Sequence, residues 1–200
     1  MGKRYLLGAL SALLLTVCLH GTILGATPEG NVQETTKKIM AILADPALMP
    51  PEMAGERKKR IREAVDERFD WTEMSRRALG RHWQKRTKEE KEAFIVVFAK
   101  LLEGAYMQKV ANYSGEKVSY VDEQVDGNYG AVTAKIITSK NEEINVEYRV
   151  KKKSDSWMVY DVSIEGVSLV NNYRTQFNNI LRKSSFSDLM KKLEEKVIHK

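Results

Sequence analysis

Histidines and paired carboxylates carry much of enzyme and metal chemistry, and this 200-residue chain has few of them in useful positions. His82 lies in the polar stretch Arg81-His82-Trp83-Gln84, and His199 is the penultimate residue. Of the three histidines, His20 lies in the apolar N-terminal stretch, and neither His82 nor His199 has a second histidine or a carboxylate at the spacing of metal ligands. We therefore expect no metal and no cofactor, and an ordinary surface or interhelical position for His82.

The motifs of nucleophilic and phosphate chemistry are missing as well. The chain has no G-x-S-x-G, no glycine-rich phosphate loop and no H-E-x-x-H. Asp161 and Glu165 share a face of one predicted strand, but the rise per residue places them about 13 Å apart. That separation is too large for a catalytic dyad. The sequence therefore predicts that this protein is not an enzyme.

Large aromatic side chains are abundant on the predicted helices and strands: Trp71, Trp83, Phe94, Phe98, Tyr106, Tyr113, Tyr120, Tyr148, Trp157, Tyr160, Tyr173 and Phe177. Composition alone favours an ordinary hydrophobic core for these residues. Periodicity does not distinguish a core from a ligand pocket, so both interpretations stay open at this point.

The first 26 residues have the three parts of an export signal. Lys3 and Arg4 form a basic start, an apolar run extends from Tyr5 to Leu19, and small residues at Gly25-Ala26 suit cleavage. A membrane-spanning helix needs about 20 consecutive apolar residues, and this run is shorter. We expect cleavage near Ala26, which leaves residues 27–200 as one domain.

Cys18 is the only cysteine and lies inside the signal, so disulfides and thiolate chemistry are excluded after cleavage. Cleavage leaves 31 Lys and Arg residues against 27 Asp and Glu residues, a mildly basic balance. The basic blocks at 57–60 and 151–153 could contact phosphates, but acidic residues are interleaved with basic ones almost everywhere else. A membrane or an anionic partner is therefore a more natural target than nucleic acid for an exported protein.

Helical periodicity comes first along the chain, at residues 28–44, 55–69 and 70–79. Asp70 and Thr87 are each followed three residues later by Glu, the pattern of a helix N-terminus. The second of these capping sites opens the longest helix, which is predicted to extend to about Tyr113. Gly80 is expected to end the short helix that precedes it.

A period of two follows, and it predicts four strands near residues 118–120, 129–137, 144–150 and 158–164. Helical spacing then returns from Leu169 and again from Ser187. This order predicts an α+β domain in which helices pack on one face of a curved, four-stranded antiparallel sheet.

Three separated motifs resemble those of the MlaC family of phospholipid-binding proteins, also called toluene-tolerance proteins. The resemblance runs from about residue 32 to 195. It rests on Phe69-Asp70 with Met74–Gly80 and Trp83, on Thr87–Phe94, and on Trp157–Val170 with Asn172–Phe177.

The resemblance implies a soluble, monomeric carrier in the periplasm that moves phospholipids between inner- and outer-membrane complexes of an Mla-type ABC transport system. It implies transient membrane contact and an NTF2-like fold with the acyl chains held in an apolar pocket between sheet and helices. Phospholipid would be cargo rather than a cofactor, and no catalytic residue carries over. A basic exported adaptor that binds a surface without enclosing a ligand is the alternative.

We expect the pocket to be lined by apolar side chains from both layers, namely Phe69, Met74, Leu79, Phe98, Leu102, Tyr106, Val132, Ala134, Ile136, Val146, Tyr148 and Tyr160. Arg174 has two interpretations: a structural hydrogen bond to the preceding loop, or contact with the lipid head group.

Overall fold

The computed structural model describes residues 26–111 and 116–198, so almost all of the predicted export signal lies outside the described residues. In these two ranges the helices are α1 Pro28–Leu43, α2 Ala54–Asp66, α3 Trp71–Leu79, α4 Lys88–Ala111, α5 Leu169–Leu181 and α6 Phe186–Ile198. Short 3₁₀ segments lie at Pro46–Leu48, Pro51–Met53 and Gly80–Lys85. None of the described helices is long and apolar enough to span a bilayer.

The helix boundaries follow from local side-chain chemistry. Asp70 accepts a hydrogen bond from the backbone N–H of Glu73, which satisfies one of the free donors at the start of α3. Thr87 and Glu90 bond reciprocally at the start of α4, at 3.2 and 3.0 Å. Gly80 ends α3 with a φ of 53°, a conformation that disfavours a side chain. These three predictions are confirmed, whereas the predicted end of α4 at Tyr113 lies outside the described residues.

An antiparallel sheet follows, made of β1 Lys117–Asp126, β2 Tyr129–Ile137, β3 Glu143–Lys153, β4 Ser156–Ile164 and the two-residue β5 Val167–Ser168. The four long strands are those predicted from the sequence. The short fifth strand was not predicted. It forms because the chain turns back at Gly166, with a φ of 75°, and pairs with the end of β4 before α5 begins.

The strand register aligns the apolar residues of β1, β2 and β3 into cross-strand rows. Ala134 lies opposite Tyr120 on one side and Val146 on the other, and Val132 lies opposite Tyr148. Directly opposed residues in an antiparallel pair point to the same face. The alternation read from the sequence therefore produces an apolar face across β2, β3 and the first part of β1, up to a register shift after Tyr120 that places Glu123 opposite Val132.

A β-bulge interrupts this alternation in β4. Arg149 pairs with Asp161 but the next residue, Val150, pairs with Val159, which leaves Tyr160 as the extra residue. The alternation predicted for β4 therefore holds for Val162 but breaks at Tyr160. A bulge depends on pairing with the neighbouring strand, so a pattern within one strand does not reveal it.

α1 lies against the sheet and is fastened there by buried hydrogen bonds. The amide of Asn31 accepts a 2.7 Å bond from the backbone N–H of Trp157, and the Trp157 indole donates to the carbonyl of Ala26. At the N-terminus of α1, the backbone N–H of Glu29 donates to the carboxylate of Glu123 in β1. An anion at this helix end is favourable because the helix dipole is positive there.

Two groups of buried apolar residues make up the core of the described part of the chain. The helical cluster consists of Met74, Ala78, Leu79, Trp83, Phe94, Phe98, Leu101, Leu102, Tyr160, Val170, Phe177, Phe186, Leu189 and Leu193. The sheet cluster consists of Val32, Val132, Val146, Val150, Trp157, Val159, Val162 and Leu169.

Arg68 is a buried cation that holds α1, the end of α2 and β4 together. Its guanidinium donates to the hydroxyl of Thr35 at 3.0 Å, to the carbonyl of Trp157 at 3.1 Å and to the carboxylate of Glu34 at 3.2 Å. The backbone of Arg68 also accepts a bond from the N–H of Val159. All three elements therefore depend on one side chain.

We expect Arg68→Met to lower the free energy of unfolding by about 2–3 kcal/mol, because the Trp157 carbonyl and Thr35 hydroxyl would stay buried without their donor. Urea unfolding followed by circular dichroism measures this. Arg149→Ala, which breaks an exposed pair with Glu147, should cost less than about 0.5 kcal/mol. Equal losses of unfolding free energy in the two variants would contradict the structural role given to Arg68.

Candidate functional site

The structure divides the twelve predicted lining residues between its two apolar clusters. Met74, Leu79, Phe98 and Leu102 are buried in the helical cluster. Val132 and Val146 belong to the sheet cluster, with Ile136 and Tyr148 packed against it, and Ala134 is fully buried on the same face. The predicted lining residues of the helices and of the sheet are therefore found mainly in two separate clusters.

Two of the predicted residues, Phe69 and Tyr106, pack against both clusters. We call the boundary that these two rings occupy the seam. Phe69 is held there by backbone pairing, because residue 69 forms a parallel bridge with Val159 and the N–H of Asp70 donates to the Val159 carbonyl at 2.8 Å. Tyr106 reaches the seam from the last turns of α4, and burial raises the pKa of its hydroxyl.

The sheet side of the seam is an apolar, desolvated surface. Burial, with a smaller effect from Tyr120, raises the pKa of Tyr148 to about 12. Tyr120 places its ring on the same face and donates its hydroxyl to Thr36 of α1 at 2.8 Å. A surface that disfavours charge this strongly suits hydrocarbon, since the low-dielectric environment penalises ionised groups.

The helical side of the seam is an aromatic cluster. The ring of Phe98 lies 5.6 Å from the rings of Phe94 and Phe177 and 5.4 Å from that of Tyr173, in stacked and edge-on arrangements. Burial raises the pKa of Tyr173. Sequence reasoning recognised these aromatic residues but did not place Phe94, Tyr173 or Phe177 at the pocket.

Val32 of α1 was also missed as a member of the sheet cluster. Its helical spacing was visible in the sequence. No signal in the sequence indicates which surface an amphipathic helix will cover, because that depends on the path of the whole chain.

Among the described residues no group of three or more histidine, cysteine or acidic side chains could hold a metal ion. Asp161 is buried, and its carboxylate accepts bonds from the hydroxyl of Ser168 and the backbone N–H of Val170. Glu165 accepts from the backbone N–H of Asn145. Both carboxylates therefore have structural partners at the end of the sheet.

Two clefts open on the surface of the described structure. A cleft of about 250 Å³ lies between α1 and β1, lined by Gln33, Thr36, Lys37, Met40, Val118 and Tyr120. A cleft of about 300 Å³ lies between the Gly80–Lys85 segment and α5, lined by Leu79, Gly80, Arg81, His82, Asn171, Arg174, Thr175 and Asn178. Within the described ranges Arg174 forms no hydrogen bond to the preceding loop. It packs instead against Gly80.

Comparison with protein families gives one match that covers most of the chain, to the MlaC protein family over residues 33–195. This chain belongs to the MlaC family. The matched region begins within α1 and ends within α6, so it contains the helical cluster, the seam and every member of the sheet cluster except Val32.

Two relatives carry names that concern phospholipid. The chain is 27% identical over 124 residues to the intermembrane phospholipid transport system binding protein MlaC of Haemophilus influenzae, covering 60% of this chain and 58% of that protein. It is also similar to the phospholipid-binding protein from Ralstonia solanacearum, solved in complex with a phospholipid. That similarity has a TM-score of 0.76 and 26% identity, and it covers 87% of this chain and 98% of the other.

Tyr160 was predicted to lie on the apolar face of the sheet, but its surroundings in this MlaC-family chain are different. It packs with the helical cluster, while the guanidinium of Arg77 lies 4.0 Å above its ring and the ring of Tyr129 lies edge-on at 6.1 Å. Arg77 is held by Glu73, which also pairs with Arg76. This charged group lies where α3 packs against β4.

Glu73 should make the stability of this MlaC-family chain depend on pH under acidic conditions. The hydrogen bond from Arg76, reinforced by Arg77, lowers the pKa of Glu73 from 4.5 to about 2. A carboxylate with a lowered folded-state pKa stabilises the fold above its ordinary pKa and loses that effect as the pH falls from 4.5 towards 2.

We therefore expect Glu73→Gln to be less stable than the parent at pH 7 and to lose less stability on acidification through this window. Urea midpoints measured from neutral pH down to about pH 2.5 test both expectations. Glu195→Gln, at an exposed position of α6, is the control. A parent-like slope in Glu73→Gln would contradict the role given to Glu73.

Proposed function

We propose that this protein is a carrier of phospholipids, which buries the acyl chains of its cargo between the sheet and the helices and releases the lipid unchanged. The single observation that carries the proposal is the similarity of its fold, over nearly the whole of the other chain, to a phospholipid-binding protein that was solved with lipid. Membership of the MlaC family supports the same conclusion.

The physical task of such a carrier is to hide hydrocarbon from water. Two acyl chains of roughly 15 methylenes each would cost about 24 kcal/mol to expose, at about 0.8 kcal/mol per methylene. A groove that covers only part of the chains would leave much of this cost in place. The carrier must therefore enclose both chains almost completely while the charged head group stays near water.

The seam is the part of the described structure that best supports such enclosure. Apolar residues face it from both sides, and within the described part of the chain the rings of Phe69 and Tyr106 pack against both clusters. Separating the clusters would expose hydrocarbon-compatible surface on each side without breaking the cross-strand pairs of β1, β2 and β3. We infer that the acyl chains insert at the seam, with the twelve predicted residues as its lining.

The same proposal places the protein in the periplasm after removal of residues 1–26, as a monomer with transient membrane contact. Its partners would be the inner- and outer-membrane complexes of an Mla-type transport system, and its cargo would be phospholipid rather than a cofactor. Binding without catalysis is consistent with the structural roles of Asp161 and Glu165. The mild excess of basic residues favours acidic docking surfaces on these partners.

Native mass spectrometry of the exported protein, purified without detergent, tests the proposal. We expect adducts of phospholipid mass at about one per chain, and organic extraction should then identify the head group. A protein that stays lipid-free, even after incubation with liposomes, would overturn the carrier and favour an adaptor that binds surfaces without enclosing a ligand.

Filling the sheet side of the seam should lower lipid binding. Ala134 is fully buried on the apolar face, and Val146 lies directly opposite it. We expect Ala134→Trp or Val146→Trp to reduce the bound phospholipid per chain at least several-fold, because the indole occupies volume that hydrocarbon would need. Overpacking should cost about 1–3 kcal/mol of stability, so circular dichroism must accompany the measurement.

Val167→Trp is the matched control, since Val167 is 57% exposed on β5 and the side chain is enlarged equally. Its lipid content should equal that of the parent. Parent-like lipid content in both folded seam variants would refute this placement of the acyl chains.

A further inference from the structure

The cleft between the Gly80–Lys85 segment and α5 has a lining unlike that of the seam. Its polar side chains are Arg81, His82, Asn171, Arg174, Thr175 and Asn178, and no Asp or Glu is among the residues that line it. Its volume of about 300 Å³ lies at the lower end of the range for small-molecule sites. The buried Leu79 contributes to its lining and joins it to the helical cluster.

The two stretches of sequence that form this cleft are rich in basic residues and lack acidic ones. Residues 74–88 contain six Lys or Arg and no acidic residue, and residues 166–187 contain three Lys or Arg and no acidic residue. The helices from these two stretches, α3 and α5, pack directly against each other. Asn171 lies in the first turn of α5, where the helix dipole adds further positive potential.

Several basic side chains of the first stretch form ion pairs with nearby glutamates. Arg76 and Arg77 pair with Glu73, and Arg86 pairs with Glu90. By contrast, neither Arg81 nor Arg174 takes part in an ion pair within residues 26–111 and 116–198. The two arginines at the cleft, like Lys85, Arg182 and Lys183 nearby, therefore carry a charge that no ion pair in the described residues balances.

Local contacts hold the cationic groups towards the cleft. Arg81 donates to the amide oxygen of Asn178 at 3.1 Å, and Nε2 of His82 lies 3.2 Å from the same oxygen. A Cβ at position 80 would lie 3.0 Å from Nε of Arg174, so the missing side chain of Gly80 allows this guanidinium to lie against the backbone. The amide oxygen of Asn178 thus orients the side chains of Arg81 and His82. The absence of a side chain at Gly80 leaves room for the guanidinium of Arg174.

We propose that this cleft binds an oxyanion of the phosphate class. Two guanidinium groups present planar forks of N–H donors that match phosphate oxygens, and the side-chain amides of Asn171 and Asn178 supply additional donors. The phosphate has two possible sources: the phosphodiester of the carried lipid, which rests on the proposed function, or a free phosphate or phosphate ester, which does not.

Nuclear magnetic resonance of the exported protein, freed of lipid, tests the site directly. Inorganic phosphate and glycerophosphoethanolamine are titrated at constant ionic strength while the backbone amides of Gly80, Arg81 and Asn178 are followed. We expect saturable shifts for these amides. Arg81→Gln and Arg174→Gln should each weaken binding at least about tenfold, the range for a hydrogen bond to a charged group.

Arg182→Gln is the matched control, because it removes the same charge from the exposed C-terminal end of α5, outside the residues that line the cleft. It should leave the affinity unchanged. An equal loss in Arg182→Gln would mean diffuse attraction to a basic surface and would overturn the proposal. So would the absence of saturable shifts with both probes.

A competition experiment distinguishes the two sources. If the protein loaded with phospholipid no longer binds inorganic phosphate, the cleft holds the lipid head group; if it binds phosphate as before, the site serves a separate phosphate. Both results support an oxyanion site. The carrier proposal can fail independently of this site. In that case native mass spectrometry would detect no bound lipid, while the protein would still bind phosphate in the titration.

Discussion

The apolar face of the antiparallel sheet is the constraint on which the rest of the structure depends. Cross-strand pairing places Val132, Ala134 and Val146 on one surface, and leaving that surface in water would be costly at about 25 cal/mol per Å². α1 covers part of it and is fastened by Asn31 and Arg68. Among the described residues, the rings of Phe69 and Tyr106 pack against both this surface and the helical cluster. The core is divided into two clusters because the helices that cover this sheet face come from different parts of the chain.

Buried charge is used in this protein to fix the edges of the sheet. Arg68 ties α1 to β4, and Asp161 ties β4 to the start of α5, each through hydrogen bonds to backbone or hydroxyl groups. A buried ion without such bonds would be strongly destabilising, so these bonds define how α1 and α5 meet the sheet. The centre of the apolar face can therefore stay free of polar groups. This separation explains why the residues suited to hold hydrocarbon and the residues suited to hold an anion lie in different places.

Structural features that depend on residues close together in the sequence could be predicted. Features that depend on contacts between distant parts of the chain could not. The caps at Asp70 and Thr87 and the alternation of β2 and β3 are local, and the structure has them as expected. The bulge at Tyr160 depends on the register with β3, and the position of Val32 depends on the path of α1 across the sheet. The same holds for the cleft: the lack of acidic residues near Arg174 is visible in the sequence, but its approach to Gly80 is not. Residue types of the candidate pocket were thus predictable, whereas their partition between two clusters was not.

The balance of forces in lipid transfer explains why such a carrier can have a core of this kind. A bilayer is as apolar as the seam, so moving acyl chains from one to the other changes the hydrophobic free energy little. The affinity is then governed by packing at the seam and by the contacts made with the head group. A polar site for the phosphate would add a contact that every phospholipid can make, so it would favour phospholipids over uncharged lipids rather than one head group over another.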